Sequence, residues 1–258
     1  MMTSRSDAFL VGKTAIITGS GRGIGRAIAL ELAQAGAQVV VNFFRRREPA
    51  EETAAAITAA GGRALVVKAN VGQLDGLQTL VQETVKAFGG VDIFIANAAS
   101  GVLRPAVEQD ERTWDWTMNI NARSLLFGAR AAAPFMQAQG WGRIIGITSI
   151  GSTRVLPEYA MVGISKAAIE AAVRYLAVEL APFGIVCNAI SPGVVETEAL
   201  DFFPSKDQIL TEGLRRTPAG RFVQPEEVAR LVAFLCSDDA RMIMGQVITI
   251  DGGYALLA

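Results

Sequence analysis

The stretch "KTAIITGSGRGIGRAIALELA", residues 13–33, decides the fold. A short apolar run rich in β-branched residues ends in a turn carrying Gly19, Gly23 and Gly25, and helical spacing begins at residue 24. Glycines there permit a tight turn and close backbone approach, and the following helix points its first amides at a phosphate. The spacing, TGxxxGxG, is wider than the GxGxxG of many dinucleotide folds. By itself such a turn also serves as a plain strand-to-helix connection. Its place directly after a first strand favours a pyrophosphate site.

The rest of the chain repeats the same alternation. "AQVVVNFF", "ALVVKAN", "VDIFIANA", "GRIIGITS", "GIVCNAIS" and "GQVITID" read, with the first run, as strands buried on both faces. Between them, residues 24–35, 49–60, 74–88, 111–138, 158–182 and 225–236 carry helical spacing. The prediction is an α/β chain, one doubly wound parallel sheet of about seven strands with helices on both faces. No Gly/Ser/Pro-rich linker interrupts it, so residues 1–258 read as a single domain. The stretch at about 192–224 stands outside the alternation and is the predicted substrate loop.

Composition narrows the function classes. Of 258 residues, 51% are apolar and 19% charged, and the net charge of −1 signals no nucleic-acid or anionic-membrane surface. The chain contains no histidine, which excludes Ser-His-Asp hydrolysis and histidine-ligated metals, and no metal site is expected. Cys187 and Cys236 lack metal-ligand spacing and read as buried reduced thiols, which suits a cytoplasmic protein. The N-terminal segment has no secretory core, and no apolar run reaches membrane-spanning length.

Charge at the end of the second strand speaks to the cofactor. NAD sites usually place an acid there for the adenosine 2′-hydroxyl. Here the run is "NFFRRRE", with Asn42 in that neighbourhood, Arg45, Arg46 and Arg47 beyond it, and Arg22 inside the glycine turn. Guanidinium groups suit a 2′-phosphate, so NADPH is the expected cofactor; the alternative is a solvated basic loop. Asn70 and Val71, ending the third strand, are placed to flank adenine. "NAA" at 97–99 ends the fourth strand on the nicotinamide side.

TGxxxGxG at 18–25, "NAA" at 97–99, Asn121, Ser149, Lys166, "SPG" at 191–193 with Thr197, and "DGG" at 251–253 occur in one order along the chain. In these elements and their spacing the sequence resembles the short-chain dehydrogenase/reductase family over nearly its whole length. The resemblance implies cofactor contacts at Gly19, Ser20, Arg22, Gly23, Ile24, Gly25, Arg45, Asn70, Val71, Asn97, Ala98, Lys166, Pro192, Gly193 and Thr197. It implies catalytic roles for Tyr159, Lys166, Ser149 and Asn121. It also implies a homotetramer built through the helices at 111–138 and 158–182 and the C-terminal strand; the apolar end "GYALLA" is compatible with such an interface.

The family's YxxxK tyrosine would fall on Val162, a departure at the proton donor. Tyr159 and Lys166 are seven apart instead, Tyr-x6-Lys, which resembles the enoyl reductases of bacterial fatty-acid synthesis. "KANVGQ", "NAASGVLRP", "TWDWTMNINA", "RYLAVEL" and "TPAGR" are similar to the enoyl-acyl-carrier-protein reductase III group. The usual "SPG" at 191–193 is retained, so the loop beginning there need not follow that group in detail.

Seven residues turn a helix through about 700°, back to within about 20° of the same face, and advance it about 10.5 Å against about 6 Å for four. Tyr159 thus stands about one turn toward the N-terminus of the usual place, and Pro157 suits a helix's first turn, putting Tyr159 at the helix mouth. In enoyl-thioester reduction hydride goes to the β-carbon, two bonds beyond the carbonyl carbon, while charge gathers on the thioester oxygen. A displaced tyrosine hydroxyl suits that oxygen. The implied function is NADPH-dependent reduction of an enoyl thioester, on acyl carrier protein, in fatty-acid elongation. Alternatives are a ketoreductase, an enoyl-CoA reductase of specialised metabolism, and a non-catalytic nucleotide sensor.

Several side chains keep two readings. Ser149 either binds substrate or terminates its strand. Trp114, on the same helical face as Asn121, contacts substrate or packs the helix. Phe202 and Phe203 line an acyl pocket or anchor the loop. Arg215, Arg216 and Arg221 face an acidic carrier protein or simply solvent.

Overall fold

Seven parallel strands form one sheet in the order β3-β2-β1-β4-β5-β6-β7 in the computed structural model, which describes residues 8–198 and 206–257. The strands are β1 Thr14–Ile17, β2 Gln38–Phe43, β3 Arg63–Lys68, β4 Ile93–Ala96, β5 Gly142–Ile147, β6 Ile185–Pro192 and β7 Val247–Ile250. The helices are α1 Gly23–Gln34, α2 Glu48–Ala59, α3 Leu74–Phe88, α4 Glu111–Met118, α5 Ser124–Gln139, α6 Ala160–Leu180, α7 Lys206–Arg216 and α8 Pro225–Cys236.

Successive residues of a strand face opposite sides, and the two cores sort accordingly. Ile17, Val41, Ile145 and Ile190 meet Ile28 and Leu32 of α1, Ile57 of α2, and Val228 and Val232 of α8. Their neighbours Ile16, Val40, Ile144 and Ala189 belong to the opposite core, with Leu80 of α3, Leu125 and Met136 of α5, and Ile169 and Val173 of α6. Cys187 and Cys236 are buried free thiols, one in each core, and burial pushes both up to about 12. Neither is poised to ionise.

Three details differ from the sequence pattern. Burial on both faces holds for β1, β4, β5 and β6. It fails for β3 and β7, which lie at the sheet edges and keep partly exposed residues. The predicted helix 111–138 is α4 and α5 joined by a π-helical turn at Asn119–Arg123, with α4 opened by a capping box between Asp110 and Thr113. The predicted loop 192–224 contains α7.

Phe94 of β4 is fully buried and presses its ring tip against Gly128 of α5. Phe94→Ala is expected to cost about 3–5 kcal/mol through the cavity it leaves. A urea midpoint within error of the parent's would show that α5 collapses onto the space.

Candidate active site

Strand order reverses between β1 and β4, which opens a crevice at the carboxyl ends of the strands. The glycine turn sits there, braced from both sides. On the β2 side, the Asn42 carboxamide oxygen accepts from the Gly19 N–H at 3.1 Å, while its amide donates to the Ala69 carbonyl at 3.2 Å. Ser20 ties in as well, its hydroxyl donating to Ile17 O and accepting from Asn42 N–H. On the β4 side, Asn97 donates to the carbonyls of Thr18 and Gly19 at 2.9 and 3.2 Å. The Thr18 hydroxyl accepts from the N–H groups of Asn97 and Ala98. A Cβ on Gly25 would lie 2.5 Å from the Asn97 amide and 2.6 Å from Gly19 O, so only glycine fits.

This arrangement corrects the expected place of Asn42. Its side chain is 2% exposed and engaged with backbone, so it holds the turn and does not face the 2′-position of an adenosine. Asn97 likewise spends its amide on the turn.

The arginines also divide differently from the sequence expectation. Arg22 and Arg46 both reach Glu198 Oε2, at 2.6 and 3.1 Å, and hold its carboxyl below the usual range. Arg45 instead lies over the Trp116 ring, 5.2 Å from its centroid, and the Trp116 indole donates to the Ser100 hydroxyl. Arg47 pairs with Glu51. Thus two guanidinium groups from different segments converge on one carboxylate oxygen beside the glycine turn. Arg46 is named in the sequence only within a run of three and Glu198 not at all; the bare run carries no signal for which arginine turns toward Arg22.

The remaining nucleotide-side residues frame the same crevice. Asn70 O accepts from Gln73 N–H and its side chain accepts from Gly72 N–H, turning the chain after β3, with Val71 buried beside it. Ile24 packs on the α1 core. Pro192 ends β6, Gly193 N–H donates to Ile250 O, and the Thr197 methyl stands 3.5 Å from where a Gly23 Cβ would be. An α1 N-terminus without a side-chain cap, a glycine turn and a covering 193–198 segment fit a dinucleotide pyrophosphate.

On the other side of the crevice, Asn121 lies in the π-helical turn, 1% exposed. It accepts from Ser100 N–H at 2.8 Å and donates to Ser100 O and the Ser165 hydroxyl. It therefore locks the chain after β4 to α6. Lys166, 5% exposed on α6, donates to Ile147 O at 2.8 Å, and burial pulls its ammonium down to about 8.

Tyr159 is the N-cap residue of α6, with Pro157 in the turn before it. Its hydroxyl lies 3.4 Å from the Ser149 hydroxyl, and burial raises its pKa, so it remains a protonated donor. Val162, where the usual tyrosine would stand, is 8% exposed and packs against Gly101. Two hydroxyls thus converge as a donor pair able to grip one substrate oxygen, where the spacing alone suggested a single donor.

Other expectations fall away from this cluster. Trp114 is 43% exposed. Arg215 pairs with Glu212 and Arg221 with Glu227, while Arg216 donates to Leu257 O and stacks on Tyr254. Phe202 and Phe203 lie outside the described residues. Among the described residues no three His, Cys, Asp or Glu side chains gather as a metal site, and no helix is long and apolar enough to cross a membrane.

The family model described as Enoyl-(Acyl carrier protein) reductase matches residues 19–255. The chain is 38% identical to the 1-cyclohexenylcarbonyl-CoA reductase of Streptomyces collinus, over 95% of this chain and 88% of that one. It is 36% identical to the hydroxynaphthalene reductase-like protein Arp2 of Metarhizium robertsii, over 95% of each. A solved 7α-hydroxysteroid dehydrogenase, complexed with NADH and 7-oxo glycochenodeoxycholic acid, superimposes with a TM-score of 0.91 at 33% identity, over 98% of both chains.

Lys166 makes the buried site pH-sensitive in a defined direction. Its folded pKa of about 8 lies below the ordinary 10.5, so between those values the unfolded chain holds a proton that the folded chain has released. Raising the pH across that window therefore favours folding through Lys166. In urea melts, the parent is expected to gain on Lys166→Met as pH rises from 8 toward 10.5. A constant difference between the two proteins would show that the lysine is not perturbed.

Proposed function

The chain belongs to the short-chain dehydrogenase/reductase family, nicotinamide-dependent oxidoreductases, and from that premise we propose that it reduces the C=C bond of a 2-enoyl thioester with NADPH. One observation carries the choice of bond. The tyrosine hydroxyl reaches Ser149 from the mouth of α6, one turn before the usual place, and Val162 fills that place with an alkyl group.

A reduced nicotinamide held in the crevice by the glycine turn would supply the hydride that the β-carbon accepts. The chain's own residues manage the charge that follows. Tyr159 and Ser149 donate hydrogen bonds to the thioester oxygen as it becomes an enolate, and a proton from solvent water then adds to the α-carbon, leaving hydroxide to the bulk and giving the saturated product. Lys166 stands behind them to hold the nicotinamide ribose hydroxyls and, when charged, to favour the anion. Asn121 holds the π-helical turn against α6. Arg22 and Arg46, already converging on one carboxylate oxygen, are the pair for a 2′-phosphate, with Glu198 giving way.

The name of the Streptomyces relative supports coenzyme A as carrier and a specialised pathway, whereas the family model's description supports acyl carrier protein and fatty-acid synthesis. A ketone substrate is the second reading, since two hydroxyls 3.4 Å apart also suit a carbonyl and a naphthol-reductase-like relative exists. A homotetramer is the proposed assembly, supported by exposed Tyr175 and Val178 on α6 and Leu126 on α5.

Crotonyl-thioester, on either carrier, is expected to drive NADPH oxidation and acetoacetyl-thioester is not; turnover only with the ketone would sink the enoyl reading. Tyr159→Phe is expected to lower kcat about 100-fold or more, as for loss of an oxyanion donor, with little change in NADPH affinity. Removing both guanidinium groups, Arg22→Ala with Arg46→Ala, should weaken NADPH binding by about 10- to 100-fold. NADH affinity should stay nearly unchanged, and equal losses for both dinucleotides would mean that the pair does not read the phosphate.

A further inference from the structure

A tyrosine displaced by a turn needs somewhere to stand, and the residues around Tyr159 are shaped for it. Its ring closes on Gly151: a Cβ there would be 2.5 Å from Cε1 and 2.7 Å from Cδ1. Such distances leave no space for any side chain. That same Cβ would stand 3.4 Å from the Ser149 hydroxyl, so the ring seat and the donor pair share one short 3-10 turn at Ile150–Ser152.

A second glycine, Gly163, adjoins the same ring carbon and the Gly151 peptide. A Cβ there would lie 2.7 Å from the Gly151 carbonyl oxygen and 3.8 Å from Tyr159 Cδ1. Its absence lets the first turn of α6 press onto the Gly151 peptide. The entry to the seat is also unusual. Glu158 has φ +59, the sole positive φ of a non-glycine residue among those described, and its carbonyl accepts from Arg104 N–H at 2.9 Å. This left-handed step turns the chain directly into Tyr159, and strained backbone of this kind persists where surrounding structure enforces it.

We propose that Gly151 and Gly163 are positioning residues that form a backbone socket for the Tyr159 ring and set where its hydroxyl meets Ser149. The socket explains how a shifted tyrosine is held as firmly as one within the helix. Gly151 sets the depth of the ring, Gly163 sets the approach of α6, and Glu158 sets the direction of entry. None of the three touches the reacting atoms. This inference rests on the proposed role of Tyr159, but its physical content, the seating of the phenol, can be measured without turnover.

The test is a double-mutant cycle read together with a phenol titration. Gly151→Ala is expected to lower enoyl turnover up to about 100-fold, the scale of a misplacement of about 1 Å, with NADPH affinity and far-ultraviolet circular dichroism unchanged. In the Tyr159→Phe background the same change should cost less than about 2-fold, because residues acting as a unit are not additive. Ultraviolet titration of Gly151→Ala against its Tyr159→Phe counterpart should show the Tyr159 phenol falling back toward 10 as the ring lifts out of its buried seat.

Gly163→Ala, whose Cβ would press on the Gly151 carbonyl and only touch the ring at Cδ1, supplies a second probe if Gly151→Ala fails to fold, with the same pattern in turnover and titration. Full activity in both glycine variants overturns the socket, as does an equal loss with and without the Tyr159 hydroxyl. If Tyr159→Phe alone leaves turnover intact, the catalytic reading of Tyr159 fails, while a shifted phenol titration would still establish the seat.

Discussion

The bracing of the glycine turn by Asn42 and Asn97 is the constraint on which the rest of the crevice depends. The turn must bring backbone amides toward a phosphate, and backbone that open has no ladder partners of its own. Two carboxamides, one from each flanking strand, satisfy Gly19 N–H and the Thr18 and Gly19 carbonyls while leaving the first turn of α1 uncapped. Both side chains can do this only because β2 and β4 lie on either side of β1. The strand order that creates the crevice therefore also supplies the groups that shape it.

The same logic runs on the substrate side, with different residues. Asn121 fixes the chain after β4 to α6 through Ser100 and Ser165, and the π-helical turn presents its carboxamide to both. Lys166 is then buried against the end of β5, and the turn after β5 carries Ser149 to the Tyr159 hydroxyl. Segments distant in sequence are thus tied by a few side-chain hydrogen bonds at one end of the sheet. The point on α6 from which the phenol is delivered sets how far the donor stands from the rest of the machinery.

Much of this was legible before any coordinates. Strand–helix alternation is a long-range periodic signal, and all seven strands and the order-reversing crevice follow from it. Burial at β3 and β7 was misjudged because an edge strand and a central strand differ in their neighbours, which composition does not encode. Asn42 was misplaced for a related reason: position along β2 was readable, but the direction of its side chain depends on the register against β1 and β3. The arginine run shows the limit most plainly. Arg45, Arg46 and Arg47 are chemically equivalent in sequence, yet one stacks on Trp116, one meets Glu198 beside Arg22, and one pairs with Glu51 along α2.

The Tyr-x6-Lys spacing was legible as a fact and incomplete as an explanation. Helical geometry allows both spacings on one face, so spacing alone says where a tyrosine stands and not whether it is held. Holding it takes room, and room is supplied by atoms that are missing: the side chains of Gly151 and Gly163. An absent Cβ leaves no chemical signature in a chain containing 26 glycines, whereas it becomes conspicuous once an aromatic ring is found in its place. Val162 completes the exchange from the other direction, filling beside Gly101 the space that a tyrosine at that position would claim. Moving one hydroxyl by a turn of helix is therefore a change in at least three side chains, and a tyrosine returned to position 162 alone would meet a site already packed without it.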